Sequence, residues 1–249
     1  MNNNYLKVNL DKTEVMFIGK KQDHNIHQLQ ITIDNDEFHT VYKSSVSDSV
    51  KFLGTHIDAT LSMRKMVSEC VKSCSFSLKK NKTIKYVLNT ADKLLLLKAV
   101  VLSKMDYNNI LLCNLRTNQL KPLQMVLNQG IRFAYSLKKR DSVIPYLKTA
   151  HILPVSFRIM YKCCVMVYKV LDGAAPHYLQ NIVEIQPPSY RFLRSSNDWL
   201  KLSNSAVTNC LQNSMVKNWN ALPLNIRISD SIKLFKKNLK TYYFRLAFN

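Results

Sequence analysis

Glycine and acidic residues are scarce in this chain of 249 residues, and long apolar runs are missing. The four glycines include no run that forms a phosphate-binding loop, which needs several glycines followed by Lys and Ser or Thr. Apolar stretches such as residues 94–97 and 163–167 are far shorter than the ~20 residues that span a bilayer. The first thirty residues lack the features of a secretory signal. We therefore expect an intracellular protein of the nucleus or cytoplasm, not a secreted one, with its six cysteines as free thiols.

The charge is strongly positive and unevenly distributed. The chain has 36 Lys plus Arg against 16 Asp plus Glu, a formal net charge of +20. Residues 1–60 hold six lysines and eight acids, net −2, whereas residues 61–249 hold 30 basic and eight acidic residues, net +22. Nucleic acid is the commonest partner of so basic a surface, an anionic membrane is a weaker second choice, and a solvated lysine-rich surface without a partner is the third.

The spacing of apolar residues predicts an α+β fold that is mostly α. Up to residue 60 the pattern favours strands, at 14–19, 29–34, 38–42 and 49–58, in a small antiparallel sheet. From residue 61 the period becomes helical. We expect a helical bundle over 61–185, a loose basic loop over 186–209 and a C-terminal helical pair over 210–249.

Capping residues and leucine-rich stretches give more detailed predictions within the helical region. A helix capped by Thr90 should run over 91–105 and lie buried at the centre, and others should cover 63–80, 118–137 and 155–171. Ser229 or Asp230 should cap a terminal helix that reaches residue 248. The side chains expected to pack from that helix are Leu234, Phe235, Leu239, Tyr242 and Leu246.

Enzyme and metal motifs are weak. Cys70 and Cys74 lie one helical turn apart, but no second Cys/His pair has the spacing of zinc ligands, so thiols of an apolar core are the better interpretation. Asp34 and Asp36 lie two residues apart on a predicted turn, where solvated acids are far commoner than metal ligands. The sequence contains no Asp-Asp pair between apolar strands. We therefore predict no metal site.

Several segments resemble a known family. Residues 6–9 read Leu-Lys-Val-Asn, residues 11–19 read Asp-Lys-Thr-Glu-Val-Met-Phe-Ile-Gly, and residues 50–54 read Val-Lys-Phe-Leu-Gly. They resemble the Leu-x-x-Asn-x-x-Lys-Thr-Glu block and the following Leu-Gly hairpin of reverse transcriptases from non-LTR (LINE-like) retrotransposons, a class of transposable element. Similar segments follow in family order over nearly the whole chain, at 103–108, 123–128, 151–155 with Arg158 and Lys162, 175–179, 193–196, 219–223 and 235–241.

The resemblance implies roles for individual residues. Residues 1–60 would be the end of a palm domain, residues 61–185 a thumb-like bundle, and the rest a C-terminal extension. Lys12 matches a lysine near the phosphates of the incoming nucleotide. Phe52, Leu53 and Gly54 match the hairpin that supports the primer end. The basic helices would grip the nucleic-acid backbone through Lys65, Lys72, Lys79, Lys80, Lys82, Lys85, Lys138, Lys139 and Arg140.

The chain departs from the family at the catalytic centre. We expect the aromatic-x-Asp-Asp box that holds Mg²⁺ in the family to lie upstream of Tyr5, so these residues lack it and look like a truncated polymerase. Residues 151–154 read His-Ile-Leu-Pro where relatives often have His-Trp-Leu-Pro. Because phosphoryl transfer depends on metal ions and positioning, we expect no catalysis and no cofactor in this chain by itself.

Two functions follow from these observations. The first is binding of RNA or an RNA/DNA hybrid without sequence specificity and without catalysis, by a C-terminal fragment of an RNA-directed DNA polymerase. The alternative is a co-opted or relic helical protein with no nucleic-acid role. Its protein partner would bind the former palm surface, where apolar side chains should be exposed near Val15, Phe17, Phe52 and Leu53.

Overall fold

The computed structural model confirms the predicted fold class: most of the described chain is helical, with antiparallel strands near the N-terminus. The chain divides into two compact units: the first unit, residues 1–69, and the second unit, residues 70–249. The described residues are 14–18, 28–33, 37–42, 48–182, 184–185, 200–201 and 211–249.

Two antiparallel hairpins form the strands of the first unit. β1 (Gln28–Ile33) pairs with β2 (Glu37–Tyr42), and β3 (Ser49–Phe52) pairs with β4 (Thr55–Asp58). The predicted strand at 14–19 is wrong for its described part, since residues 14–18 contain a single β-bridge residue, Val15, and no strand. A short apolar run does not by itself distinguish a strand from other conformations, which is why it overpredicts a strand here.

The helices account for most of the remaining described residues. Helix α2 (Thr90–Leu96) continues without a break through a π-helical segment, Leu97–Leu102, into α3 (Ser103–Asp106). Short 3₁₀ helices lie at Asn109–Leu112 and His177–Ile182. Across the described residues, no helix combines the length and the apolar composition needed to cross a bilayer. The α-helices are α1 (Arg64–Thr83), α2 (Thr90–Leu96), α3 (Ser103–Asp106), α4 (Thr117–Ala134), α5 (Ile144–Thr149), α6 (Val155–Leu171), α7 (Leu211–Asn220), α8 (Leu224–Arg227) and α9 (Ile232–Phe248).

Helix α6 lies at the centre of the bundle, with the bounds that the sequence predicts. It packs against α4, α7 and α9, and its residues Cys163, Cys164 and Val167 have no exposed surface. The prediction that the leucine-rich helix from residue 91 is central is wrong, because Leu95 of α2 is 66% exposed. Only one face of that helix is buried. Apolar composition alone cannot distinguish a helix that is buried on all sides from one whose second apolar face is exposed to solvent.

Two of the predicted helix caps are wrong. Asn89, not Thr90, caps α2, because its Oδ1 accepts a hydrogen bond from the backbone N–H of Asp92 at 2.9 Å. Ser231 caps α9 by accepting from the N–H of Leu234, while Ser229 donates its hydroxyl to the carbonyl of Ile226. The short helix α8 uses the residues before Ser229 and moves the start of α9 onward.

The predicted loop at 186–209 lies mostly outside the described residues. Its residues Leu200 and Lys201 form β6, which pairs antiparallel with β5 (Glu184–Ile185). Leu200 is buried, and Asn220 of α7 hydrogen-bonds to both its backbone N–H and its carbonyl. This part of the predicted loop is therefore held against the bundle.

Candidate nucleic-acid interface

A groove lined by five basic residues lies on the second unit. It occupies about 640 Å³ and is formed by the end of α1, the turn after it, α2, α4 and the loop that follows α4. Gln129, Phe133, Ser136 and Leu137 form part of its wall, and no acidic side chain is among the described residues that line it. The excess of positive charge in a concave site attracts anions. The five basic residues are Lys82, Lys85, Lys93, Arg132 and Lys139.

Lys93 is the unusual member of this groove because it is buried. Only 8% of the residue is exposed, and its Nζ donates to Ser136 Oγ at 3.4 Å. Among the described residues it forms no ion pair with a carboxylate. Buried charges are normally paired, since removing an ammonium group from water is costly. An anion in the groove would supply the missing partner.

The free-energy cost of burying the Lys93 side chain can be measured by substituting it. We expect Lys93→Met to raise the free energy of unfolding by about 1–2 kcal/mol, because a thioether of similar length fills the site without a desolvated charge. Urea denaturation followed by circular dichroism measures it. The control is Lys98→Met, an exposed lysine of the following π-helical segment, with an expected change within about 0.5 kcal/mol. Destabilisation by Lys93→Met would instead mean that the charge supports the fold.

Arg132 also has unused hydrogen-bonding capacity in the groove. Its Nη2 donates to the backbone carbonyl of Asp141 at 3.3 Å, whereas its buried Nε has no partner among the described residues. The carboxylate of Asp141 accepts from the backbone N–H of Lys138 at 2.7 Å. The side chain of Asp141 thus stabilises the loop and does not neutralise the guanidinium. This Nε has almost no accessible surface, so a ligand in the groove would meet the rest of the guanidinium, whose charge remains available to a phosphate.

Exposed aromatic rings lie next to two of the lysines near the end of α1. Tyr86 is 86% exposed, with Lys85 Nζ 4.5 Å from its ring centroid. Phe76 is 60% exposed, with Lys80 Nζ at 4.8 Å. Planar rings beside cations are the elements that single-stranded nucleic-acid sites use to stack bases and hold phosphates. Tyr86 also lines the groove.

Three of the predicted basic residues meet in this groove. Lys82, Lys85 and Lys139 line it together, although they come from two distant segments. Lys12 lies outside the described residues. The remaining predicted residues are exposed and do not line the groove: Lys65, Lys72, Lys79, Lys80, Lys138 and Arg140.

Three residues of the groove were not predicted from the sequence: Lys93, Arg132 and Tyr86. For Lys93 a signal exists: it stands four residues before Leu97 and eight before Val101, on the stripe that α2 and the π-helical segment bury. A lysine in an apolar stripe is either buried or at the edge of a site. For Arg132 and Tyr86 no local pattern distinguishes them from other surface residues.

The tip of the β3–β4 hairpin contains the residues that resemble a primer-supporting hairpin. Leu53 and Gly54 form a two-residue turn with φ of +45° and +80°, as a type I′ turn requires. A leucine in this conformation is strained by about 1–2 kcal/mol, whereas Asn or Gly would be relaxed. Phe52 and Leu53 are 61% and 75% exposed. The turn therefore presents two apolar side chains on a strained backbone.

Among the described residues, the thiol pair of α1 has no third side chain placed to share a metal ion with it. The Sγ atoms of Cys70 and Cys74 are 4.0 Å apart, and Cys74 Sγ also lies 3.6 Å from the carbonyl of Val101. The hydrogen bond with Cys70, together with burial, raises the pKa of the Cys74 thiol, so it stays protonated. Within the described ranges, no group of three or more His, Cys, Asp or Glu residues is placed to hold a metal ion.

Comparisons with known proteins supply no relative for this chain. No protein-family model matches it, and no match is found among curated proteins or solved structures. The function is therefore inferred from the groove and from the resemblance of the sequence segments.

Proposed function

We propose that this protein binds RNA or an RNA/DNA hybrid through the phosphate backbone, without sequence specificity and without catalysis. The observation that carries the proposal is the buried Lys93, which has no carboxylate partner among the described residues and opens onto a groove with four further cations. A polyanion compensates such a site better than any small neutral ligand would.

The net charge of the chain after residue 60 supports the same partner. Residues 61–249 carry +22, so association with a polyanion is favoured at long range as well as in the groove. The exposed Tyr86 provides a surface on which an unpaired base can stack. Contacts with phosphates and stacking do not read base identity, which is why we propose binding without sequence specificity.

The resemblance to non-LTR reverse transcriptases suggests how such a surface arose. We propose that the helical unit corresponds to a thumb and C-terminal extension, which in a polymerase hold the template and primer.

A salt titration with a fluorescent RNA and an RNA/DNA hybrid of the same length tests the proposal. Five neutralised phosphates give a slope of log affinity against log salt of about −3.5 on a single strand and about −4.5 on a duplex. Oligonucleotides of different sequence should bind within a few-fold of one another. Binding that is insensitive to salt would contradict the proposal.

Absence of binding at low salt would overturn the proposal and favour the alternative function, an interaction protein. The exposure of Phe52 and Leu53 at the hairpin tip is the observation that supports this alternative. Size-exclusion chromatography of the same samples then shows whether the chain associates with itself, since exposed apolar side chains promote such contacts.

A further inference from the structure

A pocket elsewhere on the second unit differs from the groove in both position and chemistry. It occupies about 260 Å³, roughly nine water volumes, and lies where α3, the loop before α6, α6 and α9 meet. Three of its residues, Arg158, Tyr161 and Lys162, come from successive turns of α6, since spacings of three and four place them on one face. The others are Asp106, His151, Leu153 and Lys240.

Arg158 is held in place by Asp106. Its Nε donates to Asp106 Oδ1 at 3.0 Å, and its Nη2 donates to Oδ2 of the same carboxylate. This bidentate contact fixes the plane of the guanidinium. It leaves the Nη1 side of the group, its free edge, without a contact to Asp106. The side chains of Arg158 and Asp106 are 19% and 25% exposed, so the pair is largely screened from water. Asp106 balances only the charge of Arg158.

Lys162 and Lys240 are therefore uncompensated cations of this pocket. Neither forms an ion pair with a described carboxylate, and both are exposed at the pocket rim. Together with Arg158 they make three cations against one carboxylate. The two lysines come from different helices and line the same cavity, as expected for a site that holds an anion between them.

The remaining wall residues add a donor and an apolar surface. Burial raises the pKa of the Tyr161 hydroxyl, so at neutral pH it is a hydrogen-bond donor. His151 has a left-handed backbone conformation, with a φ of +52°. The centroid of its ring lies 5.5 Å from that of Phe244. Leu153 is 5% exposed and contributes the apolar part of the wall. A phosphate joined to a small organic group matches this combination of cations, hydroxyl and apolar surface.

We propose that this pocket binds a phosphomonoester, with the phosphate between Lys162, Lys240 and the free edge of Arg158. The site is separate from the basic groove and shares no residue with it. A terminal phosphate of a nucleic-acid strand and a free mononucleotide present the same group. A monoester carries up to two negative charges and so matches two unpaired lysines better than a singly charged backbone phosphate does.

Calorimetric titration of the full chain tests the site with four probes: inorganic phosphate, a nucleoside 5′-monophosphate, and a short oligonucleotide with either a 5′-phosphate or a 5′-hydroxyl. We expect saturable binding of the first two, and a loss of about tenfold or more in Lys162→Gln/Lys240→Gln. Both lysines are exposed, so the variant should fold. Preference for the 5′-phosphorylated strand would identify a strand end as the ligand. Equal binding of the two strands, with the mononucleotide still bound, would identify a free nucleotide.

The matched control is Lys236→Gln/Lys237→Gln, which removes the same charge from exposed positions of α9 outside the pocket. An equal loss in this control would show nonspecific attraction and overturn the proposal, as would failure of phosphate and mononucleotide to saturate at millimolar concentration. Substituting Lys82, Lys85 and Lys139 in the groove should weaken RNA binding and still leave one saturable mononucleotide site, which Lys162→Gln/Lys240→Gln removes. That result separates the phosphomonoester site from the groove proposed to bind RNA. Each of the two proposals can then be refuted without the other.

Discussion

The variant Lys82→Gln/Lys85→Gln/Lys139→Gln is expected to bind RNA about a hundredfold more weakly than the wild type at 0.1 M salt. These three lysines line the basic groove, and each neutralised phosphate contributes about 0.7–0.9 log units of affinity at that concentration. The slope of log affinity against log salt should fall by about 2–3. Fluorescence anisotropy at several salt concentrations measures both quantities.

A matched control separates the groove from general attraction by a basic protein. Lys233→Gln/Lys236→Gln/Lys237→Gln removes three charges from the exposed face of α9, and none of these residues lines the groove. We expect a change of less than about tenfold, because exposed charges remote from the ligand are screened by salt. If both triple variants lose affinity equally, the groove is not the binding site.

The largest expected effect on stability comes from Phe235→Ala, at about 3–5 kcal/mol of unfolding free energy. Phe235 has no exposed surface; its ring stacks on Tyr168 with centroids 4.4 Å apart and lies 5.6 Å from Trp219. Removing it leaves a cavity between α6, α7 and α9 and breaks both ring contacts. Guanidinium denaturation followed by circular dichroism measures the loss.

Leu234→Ala is the matched control, one position earlier in the same helix. Leu234 is 41% exposed, so its removal should cost less than about 1 kcal/mol. The sequence predicts that both side chains pack, whereas the structure buries only one. Equal destabilisation by the two substitutions would contradict the orientation of α9.

In the terminal helix α9, the spacing of apolar residues predicts only some of the buried side chains. The predicted inward residues Phe235 and Leu239 are buried, but Leu234 and Leu246 are 41% and 55% exposed and Tyr243 takes the inward position expected for Tyr242. A helix with aromatic residues at adjacent positions has several possible apolar stripes, since Tyr242 and Tyr243 differ by only 100° around the axis. The choice depends on partners: Tyr243 OH lies 3.2 Å from Cys164 Sγ.

The sequence by itself determined the features that depend on neighbours along the chain. The change from strand to helical period near residue 61, the bounds of α6 and the concentration of positive charge after residue 60 are all local patterns. They follow from side-chain spacing, capping and composition, which do not require knowledge of distant contacts. These patterns fixed neither the caps of α2 and α9 nor the central element of the bundle.

Only the tertiary structure decided which basic residues act together. Lys82 and Lys85 come from the end of α1 and the turn after it, Lys93 from α2, Arg132 from α4 and Lys139 from the following loop, and they meet because α2 packs against α4. A charge count treats every exposed lysine alike. Packing places five basic residues around one groove, buries Lys93 without a carboxylate partner among the described residues, and leaves the other predicted lysines outside it. Convergence of this kind depends on contacts between segments far apart in the chain, which local spacing does not encode.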